Sequence, residues 1–139
     1  MEFEHQEHWA LYERVRDCLE REFGDDVEAH GEQPAFFLQL DAASMVVSVQ
    51  AAGPKAAVTI YGRPLNGREI TPQLAVELLR VNFGHEIPFG AVGLNDEDDV
   101  SFSHVVMGEG LDLDAFSLLI RLLADKLEDL QALLDAHAD

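Results

Sequence analysis

Three short runs of residues, 36–40, 45–51 and 56–61, are rich in the apolar residues of β-strands, and the last two place only apolar side chains on one of their two faces. In the second run every odd-numbered residue from 45 to 49 is Met or Val, so one face of that strand is apolar. The segments between the runs are rich in Asp, Ser, Gly and Pro and are short enough for hairpin turns. The pattern predicts an antiparallel meander with one apolar face and one face of mixed character.

Apolar residues at helical spacing predict three helices around this meander. The helices are expected from about residue 4 to Phe23, from Thr71 to about Phe83, and from Asp112 nearly to residue 139. A second hairpin, formed by residues 88–94 and 100–107, is predicted between the last two helices. The order α-β-β-β-α-β-β-α predicts a single α+β domain over residues 1–139, with a five-stranded antiparallel sheet and helices packed against it.

The second predicted helix is apolar over more of its surface than one sheet can cover. Leu74, Leu78 and Val81 form one apolar face, and further apolar residues between 75 and 83 form an adjoining one. A helix that lies on one side of a sheet needs an apolar stripe only about 100° wide, and this helix has roughly twice that width. We therefore predict a two-fold homodimer in which Leu74, Leu78 and Val81 contact the second copy.

The charge balance restricts the classes of partner. The chain has 27 acidic and 9 basic residues and a formal net charge of −18. Nucleic acids and anionic membrane surfaces bind through Lys and Arg, so direct nucleic-acid binding and membrane binding are both disfavoured. Most of the acidic residues lie before residue 29 and after residue 94. They either keep the terminal helices soluble or attract a basic partner.

A search for catalytic or metal-binding patterns identifies no site. His5 and His8 form the only local histidine pair, which is too few ligands for a zinc site, and the acidic loop 95–99 lacks the glycine and the glutamate of a calcium loop. Cys18 lies close to the apolar stripe of the first helix and is expected to pack there. No cofactor is predicted, and the chain is expected not to be an enzyme. One alternative stays open, a small-molecule-binding or enzymatic domain built around His104, which lies on the apolar side of its strand.

Two features bear on the compartment. The N-terminal residues have neither the positive charge nor the apolar stretch of a secretory signal, and no apolar run is long enough to span a bilayer. The single cysteine allows no internal disulfide. A cytoplasmic protein is expected.

Three short stretches resemble a known family of bacterial proteins. They are Leu78-Leu79-Arg80-Val81-Asn82-Phe83, then Pro88-Phe89-Gly90-Ala91-Val92-Gly93-Leu94-Asn95, then Leu111-Asp112-Leu113 at the start of the last helix. With the order of elements and the acidic composition, they resemble the type III secretion chaperones of the CesT/Tir class. They are also similar to the related YbjN-like proteins, which are described as sensory transduction regulators.

This resemblance implies a non-catalytic homodimer that holds another protein, or an extended peptide segment of it, through apolar grooves on the first helix and the sheet. By position, the partner-binding residues would be Trp9, Tyr12, Phe37, Val46 and Tyr61. The partner could also add a strand at a sheet edge. A regulatory adaptor for a stress-response or signalling protein is the alternative within the same class of binding proteins.

Overall fold

The computed structural model describes residues 6–41, 43–62, 70–82, 90–94, 96–97 and 99–136. Its helices are α1 (Gln6–Phe23), α2 (Pro72–Asn82) and α3 (Leu113–Ala136), and a short 3-10 turn, Gly24–Asp26, follows α1. Its strands are β1 (Val27–Ala29), β2 (Ala35–Leu40), β3 (Ala43–Ala52), β4 (Lys55–Gly62), β5 (Ala91–Leu94) and β6 (Val100–Met107).

All six strands form one antiparallel sheet in the order β1-β2-β3-β4-β6-β5. The predicted α+β class, the meander β2-β3-β4 and the second hairpin are confirmed. The predicted number of five strands is corrected to six, because β1 pairs with residues 36–38 of β2 and extends the sheet by one strand. One connection joins strands that are not neighbours: the chain runs from β4 through α2 to β5, which lies beyond β6 in the sheet.

Helices α1 and α3 cover one face of the sheet, which we call the inner face. The alternating apolar residues of the strands point into this layer, and Met45, Val47 and Val49 of β3 are all buried there. The ring of Tyr12 on α1 stacks on the ring of Phe36 on β2, with centroids 5.2 Å apart. Burial of such side chains stabilises the fold by about 1.5–3 kcal/mol each.

A glycine allows α3 to approach the sheet closely. A Cβ atom added to Gly62 would lie 2.3 Å from Cδ1 of Leu127, a distance that would force the helix or the side chain to move. Gly62 lies opposite Met45 and Phe102, two buried residues of the neighbouring strands. Gly62, the last residue of β4, thus allows the side chain of Leu127 on α3 to pack directly against the backbone of the sheet.

Side-chain caps begin the second and third helices, as the sequence predicts. The hydroxyl of Thr71 accepts a hydrogen bond from the backbone N–H of Leu74 (3.1 Å), and Oδ1 of Asp112 accepts one from Asp114 (2.9 Å). Each oxygen satisfies a backbone donor that has no partner within the first helical turn. The predicted starts of α2 and α3 are thereby confirmed to within one residue.

Helix α2 packs at the β5 edge of the sheet. The side-chain amide of its last residue, Asn82, donates to the carbonyl oxygen of Val92 (3.0 Å) and accepts from the backbone N–H of the same residue. An amide side chain thus pairs with β5 much as a neighbouring strand would. The end of α2 is fixed to the sheet by two hydrogen bonds.

Candidate partner-binding surfaces

The face of the sheet opposite α1 and α3, which we call the outer face, carries a row of apolar side chains. Phe37 on β2 is paired with Val46 on β3, and Val46 is paired with Tyr61 on β4. The three side chains lie next to one another on three successive strands, because directly opposite residues in an antiparallel pair share a face. Three of the five predicted partner-binding residues therefore form one continuous row.

Strand β6 adds two more apolar side chains to the outer face. Val105 is paired with Thr59 and Met107 with Ala57, which places both on the same face as Tyr61. Phe37, Val105 and Met107 are 44%, 58% and 50% exposed. We call Phe37, Val46, Tyr61, Val105 and Met107 the outer apolar stripe.

The outer face is also uncharged over most of its area. Across residues 35–39, 44–50, 57–61 and 101–107, the side chains that alternate onto this face are all apolar, hydroxyl or amide groups. The carboxylate nearest to this stripe in strand register is Glu28, which is paired with Phe37 at the β1 edge. In a chain of net charge −18 this is a distinct region, suited to contact with an apolar surface.

Trp9 and Tyr12 lie on the other side of the sheet. Tyr12 is buried against Phe36, and Trp9 is partly buried with its ring edge-on to Tyr12 at 6.1 Å. The sheet separates these two rings from Phe37 and the rest of the row. The five predicted residues do not form a single surface, since Tyr12 is part of the core and Trp9 packs against it.

Helix α2 does expose surplus apolar surface, but through different residues from those predicted. Leu74 and Leu78 are buried in the chain's own core, and Val81 is partly buried against it. The exposed apolar residues of α2 are Val76, at 47%, and Leu79, at 68%. The prediction chose the face that packs on the sheet, so a contact with a second copy would have to use Val76 and Leu79 instead.

The two edges of the sheet differ in their capacity to accept a further strand. At the β5 edge, Asn82 already occupies the backbone N–H and carbonyl groups of Val92. At the other edge, β1 is only three residues long and has Glu28 at its centre. Short, charged edge strands are a common protection against unwanted pairing. The outer face is thus a larger open surface than either edge.

His104 is packed, as the binding interpretation requires. It is half-buried on the inner side of β6, and its Nδ1 accepts a hydrogen bond from the backbone N–H of Gly90 (2.9 Å). Burial lowers the pKa of His104 from its usual value of 6.5, and the positive charge of Lys126 lowers it further. Burial also lowers the pKa of Lys126.

One cavity among the described residues lies away from His104. Its volume is about 270 Å³, and it is lined by the N-terminal half of α1, the start of β4 and the loop that precedes α3. Arg14 lines it and donates to the carbonyl oxygen of Leu111 (2.9 Å), while Lys55 pairs with Glu109 at 3.5 Å. Arg14 and Lys55 thus both have partners within the protein.

Among the described residues, no group of three or more His, Cys, Asp or Glu side chains is placed to bind a metal ion. His8 is buried, and its Nε2 donates to the carbonyl oxygen of Lys55 (2.9 Å), whereas His5 lies outside the described residues. Cys18 is buried next to the hydroxyl of Ser117, with 3.4 Å between Sγ and Oγ. His8 and Cys18 thus hold α1 to the β3–β4 hairpin and to α3 respectively.

Sequence reasoning did not select Val105 and Met107 as binding residues. It placed Val76 and Leu79 on the adjoining apolar face of the second helix but did not choose them for the contact. The alternation of residues in β6 could have predicted an exposed Val105, because its neighbours His104 and Val106 lie on the inner face. The helices of the described part of the chain are all too short or too polar to cross a membrane.

No protein-family model and no curated protein matches this chain. Solved structures do match it, and three of them are type III secretion chaperones in complexes. A chain of the HopA1–SchA chaperone–effector complex superposes with a TM-score of 0.68 at 11% identity, over 88% of this chain and 94% of that one.

The type III secretion chaperone SycH of Yersinia pestis, in complex with a stable fragment of YscM2, gives a TM-score of 0.58 at 15% identity, over 88% of this chain and 98% of that one. The heterodimeric ExoU–SpcU complex of the Pseudomonas aeruginosa type III secretion system gives 0.61 at 18% identity, with the same coverage of 88% and 98%. The predicted resemblance to these chaperones is confirmed at the level of the fold. The YbjN-like branch stays a prediction.

Proposed function

We propose that this chain, which has the fold of type III secretion chaperones, is a non-catalytic protein that holds a partner polypeptide on the outer face of its sheet. The observation that carries the proposal is the outer apolar stripe, an exposed and uncharged surface on an otherwise strongly acidic chain. Monomeric soluble proteins seldom leave such patches uncovered unless they bind something. The three similar structures contain chaperones together with another protein, which supports the same role.

The size of the stripe limits what it can contribute to binding. Full burial of an apolar side chain contributes about 1.5–3 kcal/mol, so the roughly half-exposed Phe37, Val105 and Met107 would together contribute about 3 kcal/mol. A dissociation constant of 1 μM requires about 8 kcal/mol. The partner must therefore extend beyond the stripe, as a segment that wraps around the chain does.

The acidic residues of the helix layer would help a basic partner to associate. Charge attraction mainly raises the association rate and weakens with salt, whereas contacts in the uncharged outer face are less sensitive to salt. The acidic helices would therefore attract the partner at long range, and the outer face of the sheet would hold it after contact.

A homodimer through α2 is the second part of the proposal. Val76 and Leu79 project from the helix away from the core, on the side opposite to Leu74 and Leu78. Burial of these side chains in a two-fold contact would cover the surplus apolar surface of α2. The outer apolar stripe shares no residue with this contact.

The packed state of His104 supports the non-catalytic part of the proposal. Its Nδ1 accepts a hydrogen bond from the backbone N–H of Gly90, and the cavity beside α1 is lined by residues of other elements. A regulatory adaptor would use the same outer face but would bind a folded partner. The distinction concerns the partner, not the residues of this chain.

Affinity capture of the full chain from native lysate, compared between variants, tests this function. Phe37→Ser and Val105→Ser remove apolar groups from the outer face, and Leu118→Ser removes an equally exposed leucine from α3 as a matched control. We expect the same captured protein with the wild type and with Leu118→Ser, and much less with the two outer-face variants. Equal capture by all four proteins would refute the proposed surface.

Hydrogen exchange of the captured protein then separates the two kinds of partner. A client held by a chaperone shows rapid exchange in free solution over the bound segment and slow exchange in the complex. A folded partner of an adaptor is protected in both states.

A further inference from the structure

The loop between β1 and β2 is organised around one ring nitrogen. Nδ1 of His30 accepts hydrogen bonds from the backbone N–H groups of both Glu32 and Gln33, each at 3.0 Å. A nitrogen that accepts two hydrogen bonds carries no proton of its own. The loop conformation therefore requires a histidine that is unprotonated at Nδ1.

The same histidine contacts the outer apolar stripe. Its ring lies against the ring of Phe37, with centroids 5.7 Å apart and planes inclined by 45°. The backbone N–H of His30 also donates to the carbonyl oxygen of Ala35 (2.9 Å), the first residue of β2. A change at His30 is thus transmitted directly to the strand that carries Phe37.

Two acidic residues lie within two positions of His30 in the chain. Glu28 on β1 lies on the outer face beside Phe37, and Glu32 belongs to the loop itself. Strand β2 has no charged residue, and neither do the outward-facing positions of β3. A protonated His30 would find two carboxylates nearby and no acceptor at its present Nδ1 position.

We propose that His30 is a pH-sensitive switch of the partner-binding face, in which protonation breaks both loop hydrogen bonds and displaces the ring from Phe37. This inference rests on the proposed function, since it describes how that face is regulated. Histidine is the side chain whose charge ordinarily changes between about pH 5 and 8. Protonated Nδ1 becomes a donor, so it can no longer accept hydrogen bonds from the N–H groups of Glu32 and Gln33. The ring then turns toward Glu28 and Glu32. The partner is held at neutral pH and released on acidification.

Amide hydrogen exchange measured by NMR on the wild-type protein and two variants tests the switch. His30→Asn places a carbonyl oxygen near the position of Nδ1, so it can accept the same hydrogen bonds but cannot titrate. His30→Ala removes the acceptor at every pH. Protection factors of Glu32 and Gln33, corrected for the pH dependence of intrinsic exchange, report the loop directly, and the ring signals of Phe37 report the binding face.

For the wild type, we expect these protection factors to fall by about tenfold between about pH 8 and pH 5, the factor for the loss of one ordinary hydrogen bond. The change should follow the titration of the His30 ring, and the Phe37 signals should shift with it. His30→Asn should stay protected at both pH values, and His30→Ala should be unprotected at both. Unchanged protection in the wild type through the His30 titration, or the same fall in His30→Asn, would overturn the switch.

Capture of the partner at the two pH values completes the test. The wild type should lose the partner on acidification and His30→Asn should retain it, whereas equal retention by both would overturn regulation by His30. If no captured protein depends on Phe37 at either pH, the proposed function fails, and the exchange measurement still decides whether the loop responds to His30.

Discussion

Phe36 and Phe37 are consecutive residues of β2, and their rings lie on opposite faces of the sheet. Phe36 is 1% exposed beneath α1, where it stacks on Tyr12, whereas Phe37 lies on the outer face. The same chemical group thus lies in the core at one position and on the proposed binding surface at the next. A substitution of Phe36 should therefore affect the stability of the fold, and a substitution of Phe37 the proposed binding.

Replacement of each phenylalanine by alanine should show that separation. Phe36→Ala should lower the free energy of unfolding by about 3–5 kcal/mol, because it leaves a cavity in the core. Phe37→Ala should change it by about 0.5 kcal/mol or less, because the side chain is exposed on the surface. Urea denaturation measures both values, and a large loss of stability for Phe37→Ala would contradict the assignment of Phe37 to an open face.

A charge on the exposed side of α2 should separate the proposed dimer. Leu79→Asp places a carboxylate in the proposed contact with a second copy, and burying an unpaired charge there is strongly unfavourable. We expect a dimer for the wild type and a folded monomer for this variant by light scattering. Leu118→Asp on α3 is the matched control and should leave the mass unchanged. A monomeric wild type, or a dimer that survives Leu79→Asp, would remove α2 from the interface.

The pKa of His104 should respond to Lys126. Burial is the larger cause of the lowered pKa and the charge of Lys126 the smaller. Lys126→Gln should therefore raise the pKa of His104 part of the way toward 6.5, and Lys126→Arg should leave it low. NMR titration of the His104 ring measures the pKa, and no difference between the two variants would exclude the charge effect.

The lowered pKa of His104 also fixes the sign of a pH effect on stability. As the pH falls below 6.5, the unfolded chain takes up a proton at His104 before the folded chain does. The contribution of His104 to the free energy of unfolding should thus decrease on acidification until the folded-state pKa is reached, and this part of the decrease should be absent when the group is removed. Thermal unfolding of wild type and His104→Asn over that range measures the difference.

The contact between Gly62 and α3 should be intolerant of a methyl group. Gly62→Ala should lower the free energy of unfolding by about 1–3 kcal/mol, because the added Cβ overlaps the buried side chain of Leu127. Gly31→Ala is the control, since nothing lies within 4 Å of its Cβ position. Equal stability of the two variants would show that α3 can move away from β4 at little cost.

Much of the fold could be predicted because its strands are long enough to show alternation. Strand β6 was predicted with its observed ends, since apolar and polar residues alternate clearly from Val100. Strand β1 was missed because it has three residues, with only Val27 partly buried and acidic residues beside it. A pattern of period two has too few repeats there to be distinguished from a loop.

The binding surfaces were harder to predict, since a side chain's face depends on its neighbours in three dimensions. Sequence periodicity identified two apolar faces on α2 but could not show that Leu74 and Leu78 meet the sheet while Leu79 does not. The resemblance to secretion chaperones grouped Tyr12 with Phe37, because it implies binding grooves on both the first helix and the sheet. Only the register of β2 and the position of α1 place them in different layers.

The confinement of charge to one side of the sheet has a consequence for orientation. Helices α1 and α3 together contain ten acidic and five basic residues, whereas the outer face on the opposite side of the sheet is mostly uncharged, with Glu28 at its β1 edge. A positively charged protein or ion-exchange resin would attract the molecule in an orientation that turns α1 and α3 toward the positive charge. The sheet would then point away from that charge, so being attracted and keeping hold of a guest polypeptide need not compete for the same side.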